Sequence, residues 1–405
     1  MLLKKIIGYH LFPICIAFII TYFVFKIYPH LFSQPDYAFS SHDVNQINGI
    51  SHFEHQSLNN QVAFSIALKS SIPILFGSSE LTSRHLEGLA SNFFNKNKKT
   101  DQFFSIGHAG FQSFAILTSL VANRALLKKS KITIILSPGW FEEHTSNGTS
   151  LKLFFEFCPP NYLYQIYSDT TVDILTKQYI SDYLYRNYEK ISKPDATIRR
   201  FSKNDKTFFN KILNYPFNKL EDFEIANQIK GDFYLTSQKL ISSKLEHSSV
   251  KPYRFYNRIV NWDSLEKTSI KQFNSISNNN NVFVENEYYN TWVKPNPKKT
   301  LYTVSKDRNR EFKDFEALIH FLKVENIKPL FVIIPLNNRV YSNVEVLSPI
   351  ISDINKVLAK NKFKVLDMFT PNVVNYQPSV LEDIMHPYNT GWYQIDKFIL
   401  DNYHD

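Results

Sequence analysis

Apolar and polar positions follow one rhythm near the two ends of the chain and a different one between them. IPILFG (72–77), QFFSIG (102–107) and KITIILS (131–137) are short apolar runs that read as buried strands. Between the last two, FQSFAILTSLVANRALLKK (111–129) carries apolar residues at helical spacing. Towards the C-terminus FEALIHFLKVENI reads as helix and KPLFVIIPL (328–336) as strand. VEVLSPIISDINKVLAKN then reads as helix and KFKVLDMF (362–369) as strand. Strands alternating with helices predict an α/β fold, a parallel sheet with helices on both faces. Function in such sheets gathers at the carboxyl ends of the strands.

From about residue 145 to 300 this rhythm breaks. The segment is rich in Tyr, Phe, Lys, Asn and Ser, with amphipathic stretches such as VDILTKQYISDYLYRNYEKI, and reads as a mostly helical insertion into the α/β frame. NSISNNNNVFVENEYYN reads as an exposed loop. At the N-terminus Lys4 and Lys5 precede an apolar stretch from Ile6 to Phe25, about 20 residues, the length of a bilayer-crossing helix. The lysines predict a cytoplasmic N-terminus and an exported remainder. No small-x-small cleavage site follows, so residues 1–30 are expected to be an uncleaved membrane anchor and 31–405 a single extracytoplasmic domain.

Composition narrows the class. Apolar residues are 43 % of 405, enough for a sizeable core. The net charge of +9 favours anionic partners, a polymer or an acidic lipid surface. The charges are scattered and no nucleic-acid-binding motif occurs, so nucleic acid is not an expected partner. Cys15 lies in the apolar span and Cys158 outside it, so no disulfide can join them. An exported chain without disulfides points to a bacterial envelope. Cys158, in FFEFCPP, reads as a small buried hydrophobe.

Candidate chemistry sits in two stretches. ILFGSSELTS (74–83) ends a predicted strand with a glycine and two serines. A serine hydroxyl attacks only when a histidine takes its proton and an acceptor orients that histidine. VLEDIMHPYNTGW (380–392) supplies Asp383 and His386, three apart on a loop, a spacing that lets the carboxylate fold back onto one imidazole nitrogen. Glu382, next door, is expected to face elsewhere on that loop. Taken alone, the Asp-x-x-His pair reads as a surface pair. No metal or cofactor is called for.

In company the pair means more. A Gly-x-Ser after the first strand, a glycine after the second and an Asp-x-x-His after the last resemble SGNH-type serine esterases and acyltransferases. That family's Gly-Asp-Ser pattern makes Ser79 the nucleophile, puts Ser78 at the aspartate position, and leaves His386 as base and Asp383 as its orienting acid. FGSSEL, IGHAGFQS (106–113), SPGWF (137–141) and DIMHP together resemble the DltD family more narrowly.

The resemblance implies an SGNH/flavodoxin-like domain on a single-pass membrane helix. It also implies a membrane-bound O-acyltransferase partner and transfer of D-alanine from a D-alanyl donor to the glycerol-phosphate units of lipoteichoic acid. Ser79 and Gly107 would offer oxyanion-hole N–H groups, with Gly139 a further candidate. Gln112 and Trp140 are candidate substrate contacts. Glu80 would bind the D-alanyl ammonium or cap the helix start. Two departures stand out: the family usually reads Ser-Pro-Gln-Trp-Phe where this chain has Gly139, and the oxyanion-hole asparagine of general SGNH enzymes is not evident. The leading expectation is D-alanyl transfer to teichoic acid or a similar anionic polymer. The alternatives are an O-acetyltransferase or esterase of an exported polysaccharide, and a non-catalytic scaffold that recruits a carrier protein.

Overall fold

The apolar runs become the strands of one parallel sheet. In a computed structural model of the chain, residues 56–69, 71–94, 103–191, 260–278 and 280–403 are described, with short pieces within 12–23 and at 52–53, 198, 201–202 and 231. The strands are β1 (His52–Phe53), β2 (Ile74–Phe76), β3 (Phe104–Ile106), β4 (Ile132–Leu136), β5 (Leu330–Ile333) and β6 (Lys364–Asp367). Their order is β1-β3-β2-β4-β5-β6, and every neighbouring pair is parallel. With the two-residue edge strand β1 set aside, this is the flavodoxin-like winding. The chain steps from β2 outward to β3, then returns past β2 to lay down β4. The winding reverses there, and the crevice at such a switch point is where ligands bind.

The longer helices are α1 (Leu58–Lys69), α2 (Ser113–Ala122), α3 (Pro160–Ser168), α4 (Ile174–Asn187), α5 (Trp262–Ile276), α6 (Arg310–Val324), α7 (Ser348–Lys360) and α8 (Asn389–Asn402). Local chemistry starts three of them. Asp173, Asn261 and Asn309 each accept, through a side-chain oxygen, a first-turn amide at 2.9, 3.1 and 3.0 Å, opening α4, α5 and α6.

Alternate strand residues face opposite layers. Leu75, Ile135, Leu330 and Val332 pack with Trp392, Ile395 and Ile399 of α8. Phe76 turns the other way to Phe111, and Phe331 to Phe315 of α6, with ring centroids 6.4 Å apart in both pairs. Trp392 is fully buried, so its truncation to Ala would cost about 3–5 kcal/mol.

The described part of the middle segment is helical, as its amphipathic pattern predicts. It lies between β4 and α6, and Tyr183 of α4 stacks on Phe114 of α2 with ring centroids 3.5 Å apart. Most of residues 192–259 lies outside the described residues. Most described residues of 274–290 are exposed or half-buried, as expected, but the stretch is only partly loop. Its first residues finish α5, and Asn280 closes the rest by hydrogen-bonding both the carbonyl and the amide of Val284, at 2.8 and 3.1 Å. Val284 is thereby fully buried. Cys158 is buried too, and burial pushes its thiol up to about 12.

The anchor expected at residues 1–30 falls mostly outside the described residues. Those described between Phe12 and Phe23 are helical, with Phe12, Ile19, Ile20, Tyr22 and Phe23 more than half exposed. Among the described residues no helix is long and apolar enough to cross a membrane.

Candidate active site

At the end of β2 the chain has to turn sharply beside β3, and two glycines make that possible. A Cβ on Gly107, where φ is +153°, would lie 2.0 Å from the Gly77 carbonyl oxygen. Only a glycine at 107 lets the two backbones meet there, while a Cβ on Gly77 would strike the Glu80 and Leu81 side chains at 2.6 and 2.9 Å. Past Gly77 the chain enters a short 3₁₀ turn, Ser79–Thr82, whose first residue is half-buried. The two serines then part company. Ser78 is 3 % exposed, and its hydroxyl donates to the His108 carbonyl at 3.0 Å and accepts the Gly110 amide at 3.2 Å. Ser78 therefore ties down the loop after β3. Ser79 points to the C-terminal loop instead.

That loop folds as a tight reversal between Val380 and Tyr388. The Glu382 amide donates to the His386 carbonyl at 2.9 Å, and the Tyr388 amide donates to the Val380 carbonyl at 2.9 Å. One Asp383 oxygen accepts the amides of Met385 and His386, at 2.8 and 2.9 Å, so the spacing of three closes a small ring. The other meets His386 Nδ1 at 2.7 Å, and His386 Nε2 lies 3.0 Å from Ser79 Oγ. The hydrogen-bonded chain Ser79–His386–Asp383 thus spans 307 residues of sequence at the switch point.

Electrostatics suit a base that works as a cation. Burial disfavours protonation of His386, but the hydrogen bond to Asp383 and the negative charges of Asp383, Glu80 and Glu382 outweigh it. Its pKa is raised above 6.5. Tyr288, Tyr341 and Tyr376 stand around Asp383, and burial first, then that carboxylate's charge, raises all three hydroxyls.

Glu382 does not face elsewhere, as its sequence position suggests it should. It is 3 % exposed, and its two carboxylate oxygens accept the backbone amides of Arg84 and His85, each at 3.0 Å. One carboxylate therefore clamps the histidine loop to the segment that follows the Ser79 turn. Burial pushes it up to about 7. Asn337, just beyond β5, holds the same loop: its side chain donates to the Asp383 carbonyl at 3.3 Å and its amide to the Ile384 carbonyl at 2.9 Å. Neither clamp is legible in the sequence, where an acid beside a candidate triad acid and an asparagine after a strand carry no distinctive spacing.

The remaining candidates are placed less centrally. Glu80 is 1 % exposed, and its carboxylate accepts the Ser78 amide at 2.6 Å. Burial raises its pKa, and the bond to the Ser78 amide is the turn-capping arrangement that the sequence also allows. Gln112 and Trp140 are each 5 % exposed and make no described contact with Ser79. The Gly139 amide is taken by Ser137 Oγ at 3.3 Å. Glu382, Asp383 and His386 offer atoms within 4.8 Å of one another. Both Glu382 oxygens are engaged by backbone amides, and both imidazole nitrogens by Asp383 and Ser79, so the group fits a relay better than a metal site.

Comparison with known proteins agrees with the motifs. The family model described as DltD protein matches residues 50–404. Protein DltD of Bacillus subtilis is 27 % identical over 345 residues, covering 81 % of each chain. Protein DltD of Staphylococcus aureus is 24 % identical over 333 residues, covering 80 % of this chain and 79 % of its own.

Proposed function

The chain belongs to the DltD family, whose part is in the D-alanylation of teichoic acid, and from that membership we propose that it performs serine-dependent acyl transfer in the bacterial envelope. The observation that carries this reading is the continuous chain from Ser79 Oγ through His386 to Asp383.

Ser79 Oγ attacks the carbonyl carbon of a D-alanyl donor while His386 Nε2 takes the hydroxyl proton. Asp383 holds the opposite N–H, fixes the tautomer and stabilises the imidazolium. The carbonyl oxygen gathers negative charge, and the Ser79 and Gly107 amides are our candidate donors for it. Collapse breaks the bond to the donor's leaving group, which departs with the proton from His386. A hydroxyl of the acceptor polymer then attacks the Ser79 ester, His386 again removing the proton, and the serine is regenerated. Nothing in this sequence of steps requires a cofactor. A membrane-bound O-acyltransferase as partner and a single-pass anchor remain part of the reading through the family resemblance.

The test is D-alanine ester content, released by mild alkali from the envelope of cells whose own copy is replaced. Ser79→Ala should abolish the ester, and Ser78→Ala should keep most of it. The opposite ranking would move the nucleophile to Ser78. Full ester content in Ser79→Ala cells would leave only a scaffold role.

A further inference from the structure

The stretch from Tyr288 to Ser305 holds three lysines, Lys294, Lys298 and Lys299, and no acid. Backbone bonds tie it to the carboxyl end of the sheet. Just before it, the Glu285 amide donates to the Glu382 carbonyl, on the histidine loop, at 2.8 Å. Further on, the Lys299 amide donates to the Val340 carbonyl, beyond β5, at 3.2 Å, and the Lys299 carbonyl accepts the Ser342 amide at 2.9 Å. Between these ties Tyr289–Val293 winds as a π-helix, a wide turn that recurs at functional sites. It buries Val293 and leaves Trp292 59 % exposed. The other tryptophans are placed differently: Trp140 and Trp392 are buried, and Trp262 packs on Phe93 with ring centroids 5.6 Å apart.

After the π-helix, residues 294–298 are all exposed, and Pro295 and Pro297 fix their own backbone angles, so the loop is stiff. Tyr302, 53 % exposed, lines the same surface depression as Lys298 and Lys299. Among the described residues none of the three ammoniums forms an ion pair. The neighbouring acids do little to offset them. Glu287 is held by Arg84 at 2.8 Å, and Glu142 accepts the amides of His144 at 2.9 Å and Tyr302 at 3.4 Å. Glu143 is exposed at the edge of the segment, which still leaves a surplus of positive charge.

We propose that this segment is a contact with an anionic lipid surface: Trp292 and Tyr302 enter the headgroup layer, and Lys294, Lys298 and Lys299 lie on lipid phosphates. The end of the sheet that carries the triad is thereby held against the bilayer. An indole or phenol ring has an apolar body and a polar tip, which suits the layer between water and lipid chains. Lysines beside such rings add attraction to an anionic leaflet. A soluble polyanion would satisfy the lysines but would leave the exposed indole in water; a lipid surface takes both. The proposal does not depend on the acyl-transfer reading.

The test is tryptophan fluorescence of the full chain reconstituted in vesicles whose lipid chains carry bromine, a contact quencher, near the headgroup. Residues 1–30 hold no tryptophan, so the readout is blind to the expected anchor. In phosphatidylglycerol the emission should shift to the blue and be quenched, and Trp292→Phe should lose that quenching. Phosphatidylcholine of the same bromination, or raised salt, should restore most of the emission. Lys294→Gln/Lys298→Gln/Lys299→Gln should behave in phosphatidylglycerol as the parent does in phosphatidylcholine, with an unchanged melting temperature. Lys323→Gln/Lys328→Gln/Lys364→Gln, which removes the same charge near the amino ends of β5 and β6, should be quenched as the parent is. Quenching unchanged in Trp292→Phe, or equal in the two lysine variants, would overturn the proposal. So would a Trp292 emission insensitive to bromine while soluble polyphosphate bound through the lysines, which would assign the segment to a polymer in solution.

Discussion

Asp383 and Asp314 are both buried acids, 6 % and 1 % exposed, and they differ in what faces them. Asp383 has a histidine at 2.7 Å, which can become a cation when the carboxylate needs one. Asp314, on α6, faces the tyrosine hydroxyl of Tyr179 and a second acid, Glu311, whose own partner is the Ser113 amide at 3.0 Å. The second oxygens of Asp314 and Glu311 are buried without hydrogen-bond partners, and both lie against Gly148. Burial pushes Asp314 up to about 7, and burial with the Asp314 charge raises Glu311 well above its usual range. Burial makes a carboxyl such as Asp314 reluctant to ionise, and the group that faces it, a histidine at Asp383 or a second acid at Asp314, sets what it can do.

The sharpest way to break this contrast is Asp383→Asn. It keeps an oxygen for the Met385 and His386 amides, so the fold should hold, while turnover in an ester-cleavage assay should fall by around 10⁴. His386→Ala should be similarly impaired and the double variant little worse, since the residues act as one unit. In the parent, activity should rise with pH through the raised pKa of His386, because only the neutral imidazole accepts the serine proton. A profile that falls through that region would reject His386 as the base.

Glu382→Gln comes next. An amide cannot accept both backbone N–H groups that the carboxylate holds, so about 1–3 kcal/mol of stability should be lost, with turnover falling as the histidine loop loosens. Chemical denaturation would measure it. A change indistinguishable from the parent would return Glu382 to the outward-facing role its sequence position suggests.

Ser78→Ala should cost about 1 kcal/mol by freeing the His108–Gly110 loop, with substantial turnover retained. The smallest effect is expected at Asp314→Asn. Because Asp314 titrates higher in the folded protein than in the unfolded chain, it reduces stability as pH rises from about 4 to about 7 and carries its full penalty above that. The neutral variant should therefore gain about 1 kcal/mol at pH 8, and the gain should fade on acidification towards pH 4. Melting temperatures across pH would show it, with turnover unchanged. Stability lost at pH 8 would mean that the Asp314 charge is compensated after all.

The frame was legible in sequence because its signal is local. Strands buried on both faces must be apolar throughout, so IPILFG, KITIILS and KPLFVIIPL stood out, and helical spacing marked α2, α6 and α7 between them. The Gly-Ser-Ser and Asp-x-x-His stretches were equally visible, since a tight turn and a short Asp-closed loop are made by neighbours. Helix α8 and edge strand β1 were not singled out. One follows a loop read for its chemistry, and the other is two residues long.

What the tertiary structure alone decided is which of these local pieces meet. Sequence cannot bring Ser79 to His386 across 307 residues; the return of the chain past β2 to lay down β4, and the later placement of the C-terminal loop, do that. Nor can it tell a clamp from a bystander. Glu382 matters through two amides, those of Arg84 and His85, and Ser78 through a carbonyl and an amide on the loop after β3. Glu80, next to Ser79 in sequence, turns under the backbone and is buried. Side-chain type and spacing fix what a residue is able to do, but burial and the partner across the fold decide what it does, because the cost of an unpaired polar group is set only when water has been removed from around it.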